Sequence, residues 1–146
     1  AKPRQREETF LFPGAAELLR GLRARGVRLG IVSTKTGETI EYIMDRLGLG
    51  DCLDFVIGSS DVKHHKPHPE GLEMALDQLG LPPERVLYCG DTVLDAEAAQ
   101  RAGLEFAAVL NGTTPASAFD VWPHVFLARD LDALARFLEG GTRPAV

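Results

Sequence analysis

Three segments of this 146-residue chain carry residue types and spacings that could hold an anion, place a positive charge and bind a hard cation. The first is Ser33-Thr34-Lys35-Thr36-Gly37, two hydroxyls and a cation directly after the apolar run that ends Ile31-Val32. Hydroxyls, free backbone N–H groups and the positive end of a helix all suit anionic oxygens, although a single hydroxyl that caps the helix would account for the same residues. The second is His64-His65-Lys66-Pro67-His68-Pro69-Glu70, where two prolines stiffen the chain and fix Lys66 just ahead of a helix that starts near Pro69. Lys66 there is either a positioned point charge or an ordinary surface lysine. His64, His65 and His68 lie in one short loop without helical or hairpin spacing, so they are expected to be solvated or to shape a pocket rim rather than to hold a metal. The third is Gly90-Asp91-Thr92-Val93-Leu94-Asp95, two carboxylates one helical turn apart at the start of a helix. Like charges at that spacing cost about 0.2–0.5 kcal/mol and an acid near a helix start gains about 0.3–1 kcal/mol, so the pair is near neutral alone. A helix cap explains it; Mg²⁺, which takes a few carboxylate oxygens and completes its shell with water and phosphate, would make it strongly favourable.

The elements that must position these groups are legible as alternation. Apolar and β-branched runs at 27–32, 55–57, 86–89, 106–110 and 125–127 read as strands. Between and around them, 15–25, 38–47, 69–79, 93–102 and 131–138 show helical periodicity, and Gly26, Gly48, Gly80 and Gly103 follow four of them as left-handed helix ends. Nearly continuous apolar strands joined by helices predict an α/β fold, an open parallel Rossmann-like sheet covered on both faces. Ligands then sit beyond the carboxyl ends of the strands, which is where all three segments fall. Asn111-Gly112-Thr113-Thr114 adds a fourth small polar loop over the same edge, equally readable as a turn.

Composition narrows the functional class. Sixteen Lys and Arg against twenty-one Asp and Glu give a net charge of −5, which argues against nucleic acid and against an anionic membrane surface. With no apolar stretch long enough to span a bilayer and no signal-like start, a cytoplasmic location is expected. Cys52 and Cys89 show no metal-binding spacing and read as small buried hydrophobes.

Taken in order, Phe12-Pro13-Gly14-Ala15, Ile31-Val32-Ser33-Thr34-Lys35, His65-Lys66-Pro67-His68-Pro69-Glu70 and Gly90-Asp91-Thr92-Val93-Leu94-Asp95 resemble the haloacid dehalogenase superfamily of phosphatases, in its phosphoglycolate phosphatase and pyrophosphatase branch. The likeness covers about residues 12–135. It implies a Mg²⁺-dependent phosphate monoester hydrolase that works through an aspartyl-phosphate intermediate. Ser33 would hydrogen-bond the transferring phosphoryl group with the Thr34 N–H, and Lys66 would balance charge between nucleophile and phosphate. Asp91 would bind Mg²⁺ directly, and Asp95 would hold the metal's water shell or Lys66. The substrate would be a phosphorylated small molecule.

One part of the pattern is absent. The family's nucleophile lies in an Asp-x-Asp-Gly-Thr turn after a first strand, and residues 1–11 contain no aspartate. Asp130-Leu131-Asp132 is no replacement, because Leu131, Leu134 and Leu138 continue as an amphipathic helix that Asp130 would cap. The expectation is a loose remnant over 1–11, the carboxy-terminal part of the core domain over 12–139 and a flexible tail over 140–146. The central first strand and the helical cap would then be lacking, leaving a gap between the strands ending at Val32 and Cys89. Such a chain should be inactive and unstable alone, its missing strand supplied by an upstream segment or a partner chain. A non-catalytic binding or scaffold domain of the same fold stays open. A receiver-type phosphoacceptor domain is disfavoured, because its acids come first and its lysine last, whereas here Ser33 and Lys66 precede Asp91.

Overall fold

The computed structural model describes residues 15–110 and 114–139. Helix and strand alternate through it: α1 Ala15–Ala24, β1 Gly30–Val32, α2 Gly37–Leu47, β2 Phe55–Ile57, α3 Glu70–Leu79, β3 Leu87–Gly90, α4 Val93–Ala102, β4 Glu105–Val109, β5 Phe126–Ala128 and α5 Leu131–Glu139. All strand pairings are parallel. Ile31 lies opposite Val56, Cys89 opposite Ala107, and Ala107 opposite Phe126.

The two-residue period of the strands sorts the core into two faces. Leu87, Ala107 and Val109 pack with Leu22, Ile40, Met44, Leu134 and Leu138, so α1, α2 and α5 cover one side. Tyr88, Phe106 and Ala108 pack with Leu72, Leu79, Ala96 and Ala99, so α3 and α4 cover the other. Phe106 and Phe119 are almost fully buried, each worth about 1.5–3 kcal/mol as removed apolar surface. This is the α/β architecture expected from the alternation.

The strands form two sheets rather than one, β1-β2 and β3-β4-β5. Among the described residues no backbone pairing joins β1 to β3, so each presents an unpaired inner edge. That is the position at which the family resemblance puts its central strand. The expected loose ends at 1–11 and 140–146, and Asn111, Gly112 and Thr113, lie outside the described residues.

Helix ends follow the sequence closely. Thr36 caps α2, its Oγ1 accepting the Thr39 N–H at 3.2 Å, and Asp130 caps α5, its Oδ1 accepting the Ala133 N–H at 2.8 Å. Gly48, Gly80 and Gly103 close α2, α3 and α4 at φ of 69°, 64° and 79°. The first strand is shorter than the apolar run 27–32 suggests. Arg28 donates instead to the carbonyls of Leu79 and Gln78 at the end of α3, and the Leu29 N–H is taken by the Asp54 carboxylate at 2.8 Å. No helix among the described residues is long and apolar enough to cross a membrane.

Candidate phosphate and metal site

The carboxyl ends of β1, β2 and β3 bring the three segments together. Ser33 prolongs β1 by one rung, its N–H donating to the Ile57 carbonyl at 3.0 Å, and its Oγ accepts the Lys35 N–H at 3.1 Å, which curls the chain into a tight loop. That loop rests on Gly58, where an added Cβ would collide with the backbone of Gly37, Lys35 and Thr36. Only a residue without a side chain allows this approach, so Gly58 sets the depth of the hydroxyl loop against β2. Ser33, Thr34 and Gly58 line a narrow pocket whose opposite wall is His64, His65 and Lys66.

Lys66 enters from the loop before α3 and is held at its tip. Its Nζ donates to Asp95 Oδ1 at 2.6 Å and to the Tyr88 hydroxyl at 2.8 Å, and the Lys66 and Asp95 side chains are 14% and 6% exposed. Asp95 accepts far more than that pair. Tyr88 OH reaches Oδ1 at 3.1 Å, while the Asp91 N–H, the Thr92 N–H and the Thr92 hydroxyl converge on Oδ2 at 3.0–3.1 Å. Five donors occupy one buried carboxylate. Gly90 allows the packing, since a Cβ there would lie 2.6 Å from the Asp95 side chain. Burial, the largest single influence, pushes the Asp95 carboxyl up, but the Lys66 charge and the bonds from Lys66 and Thr92 together outweigh it and leave Asp95 below the usual carboxylate range.

Asp91 is the opposite case. The helix cap that spacing alone assigns to it belongs to Thr92, whose Oγ1 accepts the Asp95 N–H at 3.3 Å while Asp95 binds back to Thr92. Asp91 is thereby free of capping and projects at the strand end, and no side-chain donor of another described residue is bonded to its carboxylate. Burial first and the Asp95 charge second push its carboxyl up from the ordinary value of 3.8, opposed by its own backbone N–H and, after that, by Lys66. A half-buried carboxylate whose ionisation is opposed by burial and by a neighbouring acid fits a hard dication. Between the two roles that the resemblance leaves to Asp95, its saturated oxygens fit the hold on Lys66.

Tyr88 is the residue that motif reading misses. Its hydroxyl accepts from Lys66 and shares its own proton between Asp95 Oδ1 and the Val32 carbonyl, 3.3 Å away, so it links β3 to the edge of β1 across the gap. Burial and the Asp95 charge hold the phenol well above its ordinary range, which keeps it protonated. A hydroxyl inside an otherwise apolar strand that ends in Gly-Asp was the available signal, since a buried tyrosine needs a partner. Cys89 beside it takes no part; desolvation pushes its thiol up to about 12.

A profile of the haloacid dehalogenase-like hydrolase family matches residues 2–109. The chain belongs to that family. The phosphoglycolate phosphatase of Escherichia coli K12 is 34% identical over 115 residues, which are 79% of this chain and 46% of that protein. A haloacid dehalogenase-like hydrolase of Bacteroides fragilis superposes with a TM-score of 0.83 at 41% identity, over 85% of this chain and 59% of that one. CbbY of Rhodobacter sphaeroides, solved in complex with phosphate, gives 0.73 at 25% identity, over 82% and 53%. The chain thus spans about half the length of the curated relatives it matches.

Proposed function

We propose that this chain is the metal- and phosphate-binding part of a Mg²⁺-dependent phosphate monoester hydrolase, whose nucleophilic aspartate comes from a segment outside these 146 residues. The observation that carries the reading is the convergence of Ser33, Thr34 and Lys66 on one pocket with Lys66 anchored at 2.6 Å to Asp95, near Asp91, whose carboxylate no side-chain donor among the described residues holds. Ser33 Oγ and the Thr34 N–H bind phosphoryl oxygens. Lys66, fixed by Asp95 and Tyr88, keeps a positive charge at the pocket wall without a rearrangement when phosphate arrives, which is the form in which an electrostatic contact assists phosphoryl transfer most. Asp91 holds the Mg²⁺. That ion, when bound, neutralises charge on the phosphoryl oxygens. The unpaired edges of β1 and β3 support a strand between them, supplied by an upstream segment or a partner chain, and this would bring the aspartate to the same edge.

The substrate in this reading is a phosphorylated small molecule. The name of the Escherichia coli relative makes phosphoglycolate the first compound to assay. The 146 residues by themselves are expected not to hydrolyse p-nitrophenyl phosphate, because loss of a covalent nucleophile removes several orders of magnitude in rate. A protein that also contains an upstream Asp-x-Asp segment is expected to do so with Mg²⁺. Turnover by the 146 residues alone at the rate of the longer protein would refute the proposal.

A further inference from the structure

Around the start of α3 lies a second group of side chains, of which only His64 also lines the phosphate pocket. His64, His68 and Glu70 each bring one ligand-type atom to within 4.8 Å of the others. The two imidazoles stack with centroids 4.6 Å apart and planes 23° from parallel. His64 Nδ1 lies 3.1 Å from Glu70 Oε1, and the Glu70 carboxylate is fixed by the N–H groups of His64 and Lys63 at 2.9 and 3.1 Å. Those backbone bonds, the first influences on its acidity, hold Glu70 below the usual carboxylate range and so keep it ionised. His68 Nδ1 accepts the Glu70 N–H at 3.1 Å, and Pro67 and Pro69 on either side restrict its backbone.

A loop staple needs only the His64–Glu70 bond, with side chains 63% and 27% exposed. The second imidazole adds the bond from the Glu70 N–H to its Nδ1, which does not require it to lie against His64, and two stacked rings repel when both are protonated. The observation that points to a cation is the nearness of two imidazole nitrogens and a carboxylate oxygen, toward which the rings would turn out of their stack. The donor set decides its class: two imidazole nitrogens and one carboxylate suit zinc, cobalt or nickel, while Mg²⁺ prefers oxygen alone. Coordination at His68 Nδ1 would exchange the hydrogen bond from the Glu70 N–H for a metal–nitrogen bond.

We propose that His64, His68 and Glu70 form a binding site for a transition-metal dication of the zinc class, different in residues and donor chemistry from the Mg²⁺ ligand Asp91. His64 also lines the phosphate pocket beside Lys66, so occupancy adds positive charge at the pocket rim.

The test uses tag-free protein in excess Mg²⁺, at a pH where imidazole is unprotonated. Co²⁺ is titrated by visible absorption and Zn²⁺ by calorimetry. The expected result is one ion per chain with nitrogen-ligand cobalt bands. Affinity should fall at least about tenfold in each of His64→Ala, His68→Ala and Glu70→Gln, and stay unchanged in Asp91→Asn. His64 is mostly exposed, so its variant remains folded by circular dichroism and keeps the test decisive. Absence of cobalt bands in the unsubstituted protein, or tight binding that survives loss of either histidine, overturns the proposal.

Discussion

Among the described residues, the ion pairs Arg23–Asp54 and Lys66–Asp95 each tie distant parts of the chain together, and their surroundings make them different devices. Arg23 on α1 meets Asp54, just before β2, at 2.8 Å with side chains 42% and 19% exposed, and Lys66 meets Asp95 at 2.6 Å with 14% and 6%. Asp54 takes the Leu29 N–H and the Arg23 guanidinium and leaves the rest to water. Asp95 has no such supply, and five protein donors replace it. The exposed pair staples a helix to a strand. The buried pair fixes the position of a cation at the strand edge, and its value lies in that placement, because two charges withdrawn from water gain little net stability even when well matched.

The largest test of this contrast removes the buried acid. Asp95→Ala strips Lys66 of its counter-charge and unmakes the α4 cap, and urea unfolding is expected to show a loss of about 3–5 kcal/mol. A loss no greater than that of the exposed pair would erase the distinction. Tyr88→Phe leaves Lys66 and Asp95 in place but takes away the hydroxyl between them and the Val32 carbonyl, with an expected cost of about 1–3 kcal/mol. Arg23→Ala should cost only about 0.2–1 kcal/mol, shrinking further in high salt.

Acid sharpens the comparison in a second way. Asp95 ionises at lower pH in the folded chain than its ordinary 3.8, so its contribution is complete above 3.8 and is lost as pH falls through the lower folded value. Asp54 is lowered as well: burial raises it, and the Leu29 N–H and the Arg23 contacts outweigh that. Stability measured against pH below about 4 should therefore flatten in Asp95→Asn more than in Asp54→Asn, the latter pair being screened by solvent. Equal flattening would mean that burial makes no difference.

The same contrast explains what was legible in the sequence. Periodicity and the closing glycines place every described α-helix and strand to within a few residues, because each depends on near neighbours in the chain, while the short 3-10 turns at Gly50–Cys52, Ser59–Asp61, Pro83–Arg85 and Ala116–Phe119 carry no such pattern. The three site segments were legible for the same reason, as runs after strands. Partners across the fold were not. Tyr88 lies 22 residues from Lys66 and 56 from Val32, and nothing in the local pattern of Val86-Leu87-Tyr88-Cys89 shows which hydroxyl bridges two sheets. The capping of α4 goes to Thr92 and not to Asp91 because a hydroxyl can accept the Asp95 N–H while Asp95 binds back, an exchange that spacing does not show. Asp130 could be assigned from sequence as a cap because no neighbour competed for that role. The spacing of His64, His65 and His68 offers no helical or hairpin ligand pattern, and only the folded loop stacks His64 on His68 against Glu70.

Asp91 is the decisive residue: a carboxylate at the end of β3, pushed up by burial and by the Asp95 charge, with no side-chain donor among the described residues bonded to it. The direct measurement is Mg²⁺-dependent hydrolysis of p-nitrophenyl phosphate by protein that includes the upstream nucleophile segment, compared with its Asp91→Asn variant, alongside thermal unfolding of both in chelator. The account predicts that the variant is at least as stable without metal, since it removes an unfavourable charge, yet loses turnover by at least about 10²-fold and loses the stabilisation that Mg²⁺ gives the parent. Undiminished Mg²⁺-dependent turnover in Asp91→Asn would contradict it.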